Sequence, residues 1–100
     1  MPRYAVIDVG TNSVKLHIGE KLASGSWRTV VDRTEVTRLG EGLSDAGELT
    51  APAMERTLAA ISSMAAEARQ HGVEALLAVG TMGLRTAHNS ARFLEQVRAQ

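Results

Sequence analysis

The chain has 100 residues, with 11 Lys plus Arg against 11 Asp plus Glu, so its formal net charge is zero. That balance argues against a general nucleic-acid footprint or an anionic-membrane binder, which need excess positive charge. Three aromatics (Tyr4, Trp27 and Phe93) are too few for a base-stacking platform, and the lack of cysteine excludes disulfides and thiolate metal sites and fits a reducing cytoplasmic setting. The size suits one domain with one modest core. No run approaches a membrane span, and no basic-then-apolar signal peptide is visible at the N-terminus.

Residues 4–8, YAVID, have the apolar density of a short buried strand. Gly10 to Ser13 is turn-forming by composition. Val14, Leu16 and Ile18 then alternate with Lys15, His17 and Gly19, which marks a strand with one buried face. A turn at 22–26 leads into a third strand over 27–36, rich in β-branched residues. Short connections predict an antiparallel meander.

The segment 37–49 carries Gly40, Gly42 and Gly47 and reads as a loop. A helix follows, with Thr50 as N-cap, Pro52 in the first turn and Leu49 with Met54 spaced as a hydrophobic staple. Its expected inner stripe is Met54, Leu58, Ile61, Ala65 and Ala68. Gly72 is placed to end it in the left-handed conformation. Residues 73–80, VEALLAVG, read as a parallel strand buried on both faces. Residues 81–89 form a loop, and Asn89 is positioned to cap a last helix. The order β-β-β-α-β-α in a mixed sheet calls for a further strand, so the expectation is one piece of a larger protein. An exposed apolar edge beside 74–80 would otherwise favour a homodimer.

The stretch AVIDVGTNSVKLHI, residues 5–18, carries the chemistry. Gly10 lets a ligand approach the backbone. Consecutive N–H groups at Gly10, Thr11, Asn12 and Ser13 can form an anion nest, to which the Thr11 and Ser13 hydroxyls add donors. Asp8 would repel bare phosphate but suits a Mg²⁺ ion standing between them. The same residue types also build ordinary hairpins, so this stretch taken by itself leaves a plain turn open.

Three motifs in order narrow the choice. IDVGTNSVKLHI, then TRLGEGL at 37–43, then GTMGLRTA at 80–87 resemble the exopolyphosphatase/guanosine pentaphosphate phosphohydrolase family, within the actin-like ATPase superfamily. The resemblance runs over nearly all of residues 1–100. It implies the N-terminal part of a ribonuclease-H-like α/β domain. It also implies removal of a terminal phosphate from inorganic polyphosphate or guanosine pentaphosphate, usually with Mg²⁺. On that resemblance Gly10, Thr11, Asn12 and Ser13 cradle a phosphate and Asp8 serves the metal or its water. Arg38, Thr81 and Arg85 approach the polyanion.

Some residues depart from the family pattern. Met82 stands where the family commonly has Ser, and Gly80 and Gly83 where it has Ala. Lys15 falls where relatives often have Arg, and reads equally as a solvated strand charge. Glu41 reads as a loop charge and His17 as exposed. The family's second phosphate motif and its general-base Glu lie beyond residue 100, so the isolated chain is expected to turn over little substrate. An ATP-dependent sugar or acetate kinase of the same superfamily, or a non-catalytic binding module, are the alternatives. The Asn12-Ser13 pair and RLGEGL favour the phosphatases.

Overall fold

The computed structural model describes residues 1–41 and 48–80, as four strands and one helix in a mixed sheet. The strands are β1 (Arg3–Val9), β2 (Ser13–Lys21), β3 (Trp27–Val36) and β4 (Ala75–Gly80); the helix is α1 (Ala51–Gln70). Sheet order is β3-β2-β1-β4, with β1–β2 and β2–β3 antiparallel and β1–β4 parallel. The predicted meander, helix and parallel return are therefore all present. The helix expected after Asn89 lies outside the described residues.

Period-two alternation decides which face of the sheet is buried. Ala5, Ile7 and Val9 of β1 and Val14, Leu16 and Ile18 of β2 are all at most 3% exposed. Burying each larger aliphatic side chain contributes about 1.5–3 kcal/mol. The alternation breaks after Ile18, where a register irregularity in the β2–β3 pair precedes Gly19. Glycine suits the close approach there, because a Cβ would come within 3.3 Å of the Trp27 ring, which would have to shift by a few tenths of an ångström.

Helix α1 starts and stops where its caps dictate. The Thr50 hydroxyl accepts from the Ala53 N–H at 3.3 Å, and Pro52 sits in the first turn. At the other end Gly72 adopts φ +67°. Its N–H donates to Arg69 O, and the Val73 N–H to Ala68 O. This is a Schellman ending, with Val73 packed against the core.

The buried face of α1 differs from the expected stripe. Ala53, Thr57, Ala60, Ile61, Met64, Ala65 and Ala68 are buried, while Met54 and Leu58 are half-buried at its margin. Small alanines let the helix lie close to the sheet. Thr57 is tolerated inside because its hydroxyl donates to Ala53 O at 2.8 Å. From β3, Arg33 reaches across to Glu67 on α1 at 2.8 Å and Ser63 at 3.1 Å.

Strand β4 departs from expectation more strongly. All six residues are exposed, including Leu77 at 60%. Helix α1 packs over β1 and β2, and β4 is the edge of the sheet among the described residues. Its apolar run reports what the strand can bury, and no element among the described residues covers either of its faces.

Candidate anion-binding site

The site lies at the carboxyl end of β1. Antiparallel pairing of Val9 with Val14 brings the chain back through a tight turn at 10–13. The Gly10 N–H donates to Ser13 O at 2.9 Å and closes that turn. Gly10 is therefore a structural member of the turn, and its N–H is already engaged. The nest read from the sequence narrows to the groups that follow it.

The loop after β3 fixes how those groups are turned. Thr37 and Arg38 N–H both donate to Asn12 O, at 3.1 and 3.0 Å, and Gly40 N–H donates to Thr11 O at 2.7 Å. Both carbonyls therefore face the 37–41 loop. In a planar trans peptide the N–H points opposite to the C=O. The Asn12 and Ser13 N–H groups are thus directed away from that loop. No hydrogen bond from the Thr11 or Asn12 N–H to another described residue is present.

Two local features allow the loop to approach so closely. Arg38 has φ +52°, a left-handed conformation that costs a non-glycine residue about 1–2 kcal/mol. Gly40 has no side chain to spare: a Cβ there would sit 3.0 Å from Thr11 Cβ and 3.3 Å from Thr11 O. The Thr37 hydroxyl is buried with no hydrogen-bond partner among the described residues.

An open concavity of about 260 Å³ is lined by Asp8, Gly10, Thr11, Asn12, Ser13 and Lys15. Asp8 and Lys15 are cross-strand partners, and both are exposed. Neither forms an ion pair among the described residues. The hairpin register thus adds Lys15 to the predicted set, with one cation and one carboxylate flanking a run of backbone donors. Arg38 joins through its backbone; its exposed side chain does not line the concavity. Thr81 and Arg85 lie outside the described residues. His17 and Glu41 are exposed, as the alternation and the loop composition implied.

Sequence reasoning missed Arg56. Its Nε donates to Thr37 O at 3.0 Å and its terminal nitrogen to Arg38 O at 3.4 Å. Glu41 stands 3.6 Å from the same guanidinium. The available signal was weak: an arginine off the helix stripe ordinarily reads as solvated.

A β3-β2-β1-β4 sheet with a polar turn beyond β1 has the ribonuclease-H-like, actin-like ATPase architecture. Solved structures agree. A Ppx/GppA phosphatase from Aquifex aeolicus superposes with a TM-score of 0.94 at 30% identity, over 99% of this chain and 33% of that one. An exopolyphosphatase from Cytophaga hutchinsonii gives 0.90 at 28% identity, over 97% and 31%. Among curated relatives, the guanosine-5'-triphosphate,3'-diphosphate pyrophosphatase of Photobacterium profundum is 35% identical over 97% of this chain and 19% of its own length. Exopolyphosphatase 2 of Mycobacterium tuberculosis is 34% identical over 89% of this chain and 29% of its own. The Ppx/GppA phosphatase family model matches residues 18–100, and the chain belongs to that family. It spans about a fifth to a third of the length of these relatives.

Proposed function

We propose that this chain supplies the first phosphate-binding half of a phosphoanhydride hydrolase, which removes terminal phosphate from inorganic polyphosphate or guanosine pentaphosphate. One observation carries the reading. The 10–13 turn is held from behind by the 37–41 loop through its carbonyls, which leaves N–H groups on its other side, between Asp8 and Lys15. Backbone donors fixed in advance suit negative charge on a transferred phosphate. The names of the curated relatives, a guanosine pentaphosphate pyrophosphatase and an exopolyphosphatase, support the substrate class.

Mg²⁺ belongs to the same proposal. No cluster of three or more His, Asp or Glu among the described residues could hold a metal unaided. Mg²⁺ commonly takes one or two carboxylates, its own waters and the substrate's phosphate oxygens. A single exposed carboxylate, Asp8, at the mouth of the concavity fits an ion that arrives with the phosphate. When bound, it would offset phosphate charge, while Lys15 faces the same anion from the other side of the hairpin. Arg38, Thr81 and Arg85 remain the proposed contacts for the rest of the polyanion. No helix among the described residues is long and apolar enough to cross a membrane, and we place the reaction in the cytoplasm.

The test is phosphate release from long-chain polyphosphate and from guanosine pentaphosphate, with Mg²⁺. The protein would be expressed from its complete natural reading frame. Release that is lost on Asp8→Ala supports the proposal. Tight ATP binding with sugar or acetate phosphorylation, and no phosphate release, would overturn it.

A further inference from the structure

We infer that Arg56 is a positioning residue for the phosphate turn, acting through the backbone of Thr37 and Arg38; the inference rests on the phosphate reading of that turn. Arg56 lies on α1, outside the concavity and on the other side of the 37–41 loop from the turn. Its planar guanidinium donates to two consecutive carbonyls, Thr37 O at 3.0 Å and Arg38 O at 3.4 Å. The N–H groups of the same two residues both donate to Asn12 O. The short segment is thus gripped by its carbonyls from the helix and by its N–H groups from the turn. Arg38 is the left-handed residue within it.

The consequence follows from peptide geometry. Without the guanidinium, the Thr37 and Arg38 carbonyls turn to water and Arg38 is free to relax from φ +52° toward the right-handed region. Its N–H then swings off Asn12 O. The Asn12–Ser13 peptide then loses one of the two donors on its carbonyl and keeps only the Thr37 N–H, so the Ser13 N–H is less firmly oriented. Lysine cannot replace the fork: its ammonium is a point charge, while the hold requires coplanar donors aimed at neighbouring carbonyls. The Glu41 contact, at 3.6 Å between two exposed side chains, is a weak surface pair and is not required.

The experiment titrates tripolyphosphate, in the presence of Mg²⁺, into the complete natural protein by calorimetry. Steady-state kinetics on polyphosphate run in parallel. Arg56→Ala and Arg56→Lys should both weaken binding and raise KM by about tenfold, with kcat within about twofold of wild type. Glu41→Gln should leave both unchanged. A purely structural role would lower melting temperature and active fraction while leaving KM alone. Normal affinity in both Arg56 variants, alongside weakened binding in Ser13→Ala, would overturn the inference and keep the phosphate reading. Full rescue by Arg56→Lys would also overturn it, since charge and not the fork would then suffice. If Ser13→Ala binds as wild type and wild type itself shows no tripolyphosphate affinity, the phosphate reading fails and the inference with it. Should Arg56→Ala fail to fold, Arg56→Lys decides.

Discussion

The two ends of the sheet use charge in opposite ways. At the amino end of β1, charged side chains are engaged with one another. Glu20, only 7% exposed, takes Arg3 Nε at 2.8 Å and an Arg28 guanidinium as well. Arg3 also donates to His71 O at 3.2 Å and so ties the end of α1 to the sheet. At the carboxyl end, Asp8, Lys15 and Arg38 form no ion pair among the described residues. There the backbone makes the connections, through Thr11 O, Asn12 O and the N–H groups of Thr37, Arg38 and Gly40. The lesson is a division of labour. At the end where we propose a ligand, main-chain bonds and Arg56 hold the structure. Where no ligand is expected, side-chain ion pairs hold it.

The largest break in this comparison is predicted at Asp8. Asp8→Ala in the complete natural protein should reduce phosphate release at least about 100-fold with little change in melting temperature, because the exposed side chain makes no ion pair or hydrogen bond among the described residues. Calorimetric melting alongside the phosphate assay checks both halves. Next comes Gly40→Ala, whose new methyl would press on Thr11 Cβ and O. The loop must back away from the turn, at a cost of about 1–3 kcal/mol in stability. Unlike Asp8→Ala, it should also weaken tripolyphosphate binding about tenfold. A smaller effect, at the opposite end, sharpens the contrast. Glu20→Gln should lower melting temperature at neutral pH and leave KM for polyphosphate unchanged.

Glu20 also carries a pH signature. The hydrogen bond from Arg3 holds its carboxyl below the ordinary value of 4.5; burial opposes this, and the Arg28 and Arg3 charges reinforce it. A carboxylate lowered on folding stabilises the protein above its unfolded pKa and loses that contribution as pH falls through the folded one. The melting gap between wild type and Glu20→Gln should therefore be full near neutrality and shrink below about pH 4.5. A gap constant down to pH 3 would show that the ion pairs are not its source. The smallest predicted change is Thr50→Ala, which removes the cap of the helix bearing Arg56 and should cost about 1 kcal/mol in denaturant titrations.

Much of this was legible in the sequence because strong local rules agreed. Alternation gave β2 its buried face, Thr50 and Gly72 bounded the helix, and IDVGTNS with RLGEGL marked the two segments that meet. The helix face was partly misjudged because large residues were given more weight than alanine: Ala53 and Ala60 are buried, whereas Met54 and Leu58 are only half-buried. The covering of β4 was misjudged because an apolar run reports what a strand can bury, and not which elements lie over it. The grip on the 10–13 turn left almost no trace. Main-chain bonds such as Gly40 N–H to Thr11 O have no residue-type signature, and Gly40 among other loop glycines does not announce which backbone it must approach. Lys15 entered the site only through its register with Asp8, which depends on the turn's length and not on composition.

The central claim is that the N–H groups of the 10–13 turn receive an anion. The most direct test is a titration of the isotopically labelled protein with tripolyphosphate and Mg²⁺, following backbone amide resonances. The account predicts the largest shifts at Thr11, Asn12 and Ser13, a smaller response at Arg38 and Gly40, and none at Arg3, Glu20 or Arg28. Saturating tripolyphosphate that leaves Thr11, Asn12 and Ser13 unmoved, or that moves the Arg3–Arg28 end instead, would contradict it.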